Sequence, residues 1–133
     1  MLDESGVGVC LDTGHLALGG SDSLELARAY PGRFNHVHLK DVDAGLAARL
    51  RAGEFDLVDG VRLGIFRPLG AGDAPVREVV ATLEQAGYGG WYVLEQDTAL
   101  ADGGPEATRR LLDDVRRSVD YLRAATPAPA SPD

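Results

Sequence analysis

Gly6-Val7-Gly8-Val9-Cys10-Leu11-Asp12-Thr13-Gly14-His15 is an apolar run that turns polar at its end, and the chain repeats this design twice more. A nearly continuous apolar stretch, Gly6 to Leu11, reads as a strand buried on both faces, as in a parallel sheet. Phe34 to Asp41 (FNHVHLKD) is a second strand, with Val37 and Leu39 alternating against His36, His38 and Lys40. Gly90 to Glu95 (GWYVLE) is a third.

Helix signals lie between and after the strands. Asp22 and Glu25 form a D-x-x-E capping pattern ahead of Leu26, Ala27 and Tyr30, with Pro31-Gly32 as the stop. Ala44 to Arg51 reads as helical, Val61 to Phe66 as a short apolar segment, and Pro68 to Asp73 as a Gly-rich loop. Pro75 opens a helix whose Val76, Val79, Val80 and Leu83 share one face, closed by Gly87. Pro105 to Leu122 is a last helix, with Leu111, Leu112, Val115, Val119 and Leu122 on one side. The alternation gives an α/β fold of about three parallel β/α units. An open doubly wound sheet and a closed barrel both satisfy it. Residues 1–123 make up the ordered part, and Ala124 to Asp133 (AATPAPASPD) is a Pro/Ala tail with too little apolar surface to order itself.

With 133 residues and 44% hydrophobic content, the chain suffices for one domain with a core. A net charge of -8 disfavours nucleic acid and anionic membranes, since no basic excess exists to neutralise phosphates. No apolar run approaches the roughly 20 residues of a membrane span. The lone Cys10 has no partner for an internal disulfide, and no signal-peptide pattern opens the chain, so a cytoplasmic setting is expected.

Each strand ends in a side chain able to bind a divalent metal: Asp12 after the first, His38 in the second, Glu95 at the end of the third. In a parallel β/α barrel all strand C-termini open onto one face, so these residues could share one ion. An Asp before Thr-Gly is often only a turn or cap residue, and a single strand His or Glu is usually structural. Repetition at equivalent strand ends argues for a site. Two carboxylates and an imidazole suit Mn²⁺, Co²⁺, Fe²⁺, Zn²⁺ or Mg²⁺ without choosing among them. His36 shares a strand face with His38 and is expected to pack beside it or support it. Cys10 is expected to pack as a small apolar residue rather than act as a nucleophile. Gly70-Ala71-Gly72-Asp73 could cradle a phosphate or form a flexible loop over the site. Of Trp91 and Tyr92, which alternate across the strand, at least one is expected in the core.

The segments GVCLDTGHLALGG, NHVHLKDV, PLGAGD and AGYGGWYVLEQD resemble successive signatures of the inosose dehydratase family, within the xylose-isomerase-like barrel superfamily. The resemblance runs from Gly6 to about Leu122 and implies that this is the C-terminal part of a (β/α)8 barrel. It also implies a divalent metal, with Mn²⁺ or Co²⁺ ahead of Zn²⁺, Fe²⁺ or Mg²⁺, held by Asp12, His38 and Glu95 together with an earlier Glu. The implied reaction is dehydration of 2-keto-myo-inositol, a small cyclic polyol ketone, through an enolate. His15 matches a histidine that contacts substrate in related epimerases. Ala44 stands where those epimerases often carry an Arg, which leaves Lys40 and Asp41 as the nearby polar candidates. The expected acid/base and substrate contacts are His15, Glu95 and, more weakly, Lys40.

The family's earlier Glu belongs upstream of Asp12, and neither Asp3 nor Glu4 lies at a strand end. A closed barrel has eight strands and typically about 250 residues. The expectation is a part of a barrel, from a shortened or split gene or a degraded paralogue, that is inactive alone, self-associates or docks with a complementing N-terminal chain. An isomerase or epimerase using the same enolate chemistry is the competing enzymatic reading.

Overall fold

The computed structural model describes residues 6–100 and 104–126. Three strands, β1 (Val9–Asp12), β2 (Phe34–Leu39) and β5 (Trp91–Leu94), form a parallel sheet in the order β1-β2-β5. Asp12 lies beside His38, His38 beside Val93 and Leu39 beside Leu94, so Asp12, His38 and Glu95 occupy one end of the sheet. The backbone N–H of Glu95 donates to the Leu39 carbonyl at 3.1 Å, which carries the pairing one residue past β5. The first strand begins at Val9 rather than at the expected Gly6, which adopts a φ of 64°, outside strand geometry.

Strand alternation decides what each face does. Leu11, Val37 and Leu39 are buried against the helices, while Cys10, His36 and His38 belong to the opposite face. Helix α2 (Ser23–Ala29) starts where the D-x-x-E pattern places it, with the Asp22 carboxylate accepting from the N–H groups of Leu24 and Glu25. Helix α5 (Val76–Gln85) presents Val76, Val79, Val80 and Leu83, each 0% exposed, to the same core. Such burial contributes about 1.5–3 kcal/mol per side chain. A charge at Val79 would remove that gain and bury an unpaired ion.

Several local expectations are corrected. Of the turn and cap readings open to Asp12 the cap is correct, and it opens a helix that the sequence reading did not include, α1 (Thr13–Leu18). The second strand does not run to Asp41. Its ladder ends at Leu39, and Asp41 and Val42 form β3, antiparallel to β4 (Phe66–Arg67). Between them, α3 (Ala44–Arg51) matches its expectation and α4 (Leu57–Arg62) takes up part of the apolar segment Val61–Phe66. Val42, Ala47, Ile65 and Phe66 give this excursion a core cluster of its own.

The last helix, α6 (Pro105–Ala125), runs past the expected boundary, so the tail is not irregular from Ala124. Tyr121 and Leu122 pack on the main core, and the Thr126 N–H and hydroxyl both donate to the Leu122 carbonyl, holding the final turn. Residues 127–133 of the expected tail, and Asp3 and Glu4, lie outside the described residues. The apolar side of α6 is also rotated from expectation: Leu112 and Val115 are exposed, whereas Ala107 and Ser118 are buried. Ser118 fixes the rotation, because its hydroxyl accepts from the Leu69 N–H at 3.0 Å. Among the described residues no helix is long and apolar enough to cross a membrane.

Candidate metal centre

Asp12 performs two tasks with its two oxygens. Oδ1 accepts the His15 backbone N–H at 2.8 Å and caps α1. Oδ2 faces the His15 Nδ1 at 3.0 Å and the His38 Nδ1 at 3.9 Å. The capping reading is thus correct for Asp12, but it uses only one oxygen. Glu95 approaches from the other side, with Oε1 2.8 Å from the His38 Nδ1. One ligand atom each from Asp12, His38 and Glu95 lie within 4.8 Å of one another. All three side chains are partly shielded from solvent, at 16%, 28% and 30% exposure. Two anionic oxygens and an imidazole nitrogen converging at strand ends form a donor set that fits a divalent cation.

Lys40 lies beneath this cluster, its side chain 3% exposed. The ammonium lies 2.7 Å from Glu95 Oε2 and 2.8 Å from Asp97 Oδ2, over the Phe66 ring at 4.8 Å. Burial disfavours its charge, but the hydrogen bonds to Asp97 and Glu95 outweigh that cost and raise its pKa above the usual lysine value. Reciprocally, the Lys40 hydrogen bond holds Glu95 below the usual carboxylate range. The neighbours of Asp12 build the berth for this cation. The Thr13 hydroxyl donates to the Lys40 carbonyl at 2.8 Å and accepts the Lys40 N–H at 2.9 Å. A Cβ at Gly14 would lie 2.6 Å from Lys40 Cγ, so only glycine lets the stem pass without a shift.

His15 is at the rim, its side chain 55% exposed, with Nε2 3.5 Å from the Lys40 ammonium. The structure therefore brings Asp12, His15, His38, Lys40 and Glu95 together. His36 stands outside the ligand cluster, packed edge-on against His38 with ring centroids 5.1 Å apart. Cys10 is exposed rather than packed, and partial desolvation together with the Asp12 carboxylate pushes its thiol pKa up, against nucleophilic use. Trp91 is 77% exposed, and Tyr92 is the member of that pair that joins the core.

Asp41, the other polar candidate, turns away from the site. Its carboxylate is buried and accepts the N–H groups of Val42, Gly70, Gly72 and Ala74 at 2.8–3.1 Å. The Gly-rich loop thus cradles an anion of the protein itself, and it is tied down rather than flexible. Asp73 then accepts the Ala44 N–H at 2.8 Å, at the start of the α3 helix that Asp43 caps. Sequence reasoning missed Thr13, Gly14, Phe66 and Asp97. Of these only Asp97, two residues beyond Glu95, carried a signal in its spacing.

The model of the family described as Xylose isomerase-like TIM barrel matches residues 1–125. Among curated relatives, the inosose dehydratase of Geobacillus thermodenitrificans is 37% identical over 102 residues, 75% of this chain and 34% of that protein. That of Clostridium beijerinckii is 35% identical over 104 residues, covering 77% and 35%, and that of Lacticaseibacillus casei 31% over 105, covering 79% and 35%. A solved D-tagatose 3-epimerase-like protein aligns with TM-score 0.46 and 17% identity over 86% of this chain and 37% of its own. The chain spans about a third of the length of the curated relatives it matches. Its parallel units are consistent with an arc of a barrel, and the chain belongs to the Xylose isomerase-like TIM barrel family.

Proposed function

We propose that this chain carries the metal-binding strand ends of a lyase that dehydrates 2-keto-myo-inositol to a trihydroxycyclohexane-dione. The observation that carries the reading is the convergence of Asp12, His38 and Glu95, in a chain 31–37% identical to proteins named inosose dehydratase. Asp12, His38 and Glu95 would hold the ion, with Mn²⁺ or Co²⁺ as the expected metal. When bound, a divalent cation supplies Lewis acidity that stabilises negative charge developing on the substrate's ketone oxygen. His15, exposed at the rim with its ring beside Asp12, would exchange a proton with the substrate as the α-hydrogen leaves and the β-hydroxyl departs as water. Glu95, also expected as a proton-transfer group, takes the ligand role in this reading, with Oε1 facing His38 and Oε2 taken by Lys40. Lys40 keeps a fixed positive charge beside both.

The test is incubation of the full-length protein and Mn²⁺ with 2-keto-myo-inositol, with the product mass followed. Loss of one water per turnover is expected. Conversion without change of mass would instead establish an isomerase or epimerase, and absence of metal-dependent conversion would overturn the reading.

A further inference from the structure

We infer that Lys40 is a positioning residue that divides the labour of the two Glu95 oxygens, holding Oε2 so that only Oε1 is offered to the metal position. This rests on the metal reading above. Oε2 lies 2.7 Å from the Lys40 ammonium, while Oε1 faces the His38 Nδ1 at 2.8 Å. The two oxygens of one carboxylate are thus held by groups of different kinds. A salt bridge between mobile surface side chains would say little, because such pairs rearrange freely. Lys40 is different: its side chain is 3% exposed, its peptide is clamped on both sides by the Thr13 hydroxyl, and its stem crosses Gly14. The ammonium is further fixed by Asp97 and the Phe66 ring. Glu95 follows a strand end, where rotation about its side-chain bonds would otherwise let both oxygens turn to one cation. A carboxylate can bind a cation through one oxygen or through both, and Lys40 selects the first mode.

Electron paramagnetic resonance of Mn²⁺ bound to the full-length protein tests this, alongside the Mn²⁺ dissociation constant and turnover. Lys40→Met keeps the length of the stem and removes the charge. It is expected to keep Mn²⁺ bound at least as tightly as wild type, to change the Mn²⁺ spectrum, and to lose about 10–100-fold in turnover. Turnover lost with the spectrum unchanged would show that Lys40 acts directly on substrate and would overturn the inference. An unchanged spectrum with unchanged turnover would do the same. Glu95→Gln leaves Lys40 intact and guards against a folding defect in the first variant. Lys40 should draw the amide oxygen to itself and leave the NH₂ group facing the metal, weakening Mn²⁺ binding by about 100-fold or more. Glu95→Gln that binds Mn²⁺ within about tenfold of wild type overturns the inference. A wild-type protein that binds no Mn²⁺ overturns the metal reading itself, and this assignment with it.

Discussion

Gly14 and Lys40 are in such close contact that a methyl group on the first would enter the stem of the second, 2.6 Å from its Cγ. Gly14→Ala is therefore expected to displace the Lys40 stem at a cost of about 1–3 kcal/mol. Urea unfolding measures the cost, and metal-dependent turnover should fall with it. A variant as stable and active as wild type would show that Lys40 has room to move.

Removal of a metal ligand should differ in kind from removal of its neighbour. His38→Ala and Glu95→Ala are each expected to lose bound metal and turnover together, whereas His36→Ala should keep metal and lose about 10–100-fold at most. Metal analysis alongside rates is the check. His38→Ala that retains stoichiometric metal would remove His38 from the ligand set.

Asp41 carries a stability prediction unconnected with catalysis. Its buried carboxylate takes four backbone N–H groups, and Asp41→Ala would strand several of them. The expected loss is at least about 3 kcal/mol, read from the urea midpoint. A cost below about 1 kcal/mol would mean that water replaces the carboxylate without penalty.

Asp43 makes stability depend on acid. It accepts the Leu46 N–H at the start of α3 and pairs with Arg67 at 3.0 Å, and both hold its pKa below the usual aspartate value. A folded pKa lower than the unfolded one contributes stability above the unfolded value, about 3.9, and loses it as pH falls through the folded value. The advantage of wild type over Asp43→Asn should thus be full near neutrality and shrink below about pH 4. A difference that stays constant down to about pH 2 would contradict the depressed pKa.

The 133-residue chain expressed alone should self-associate. Both β1 and β5 are edges of the described sheet, Trp91 is 77% exposed, and an apolar cavity of about 300 Å³ lined by Val9, Leu11, Leu16, Leu26 and Phe34 opens beside β1. Sedimentation velocity decides the matter, and a sharply melting monomer would refute the expectation.

The parallel units and the convergence of Asp12, His38 and Glu95 were legible because both rest on period and position: an alternation of two places His36 and His38 on one face, and strand ends align when strands run together. The α1 helix was not legible, since its start is signalled only by the Asp12 cap, whose residue type also suits a turn. Lys40 could be named but its task could not, because Asp97, Phe66 and Gly14 meet it only in the folded chain. Asp41 misled for a related reason. A charged residue next to a strand of candidate ligands suggests chemistry, and only the loop folded back onto it shows that its partners are peptides.

The excursion from Asp41 to Arg67 closes on itself through the β3–β4 pair and has its own apolar cluster. It is attached much as a cassette is, with both ends of the insertion side by side. The segment is nonetheless tied to the helix that Asp12 caps: Ala17 and Leu18 of α1 pack on its cluster, and Arg51 donates to the carbonyls of both. Phe66 carries the segment into the candidate site, since its ring meets both Lys40 and His15. A change anywhere in this segment therefore reaches Lys40 and His15 by way of a single aromatic ring, without altering Asp12, His38 or Glu95 themselves.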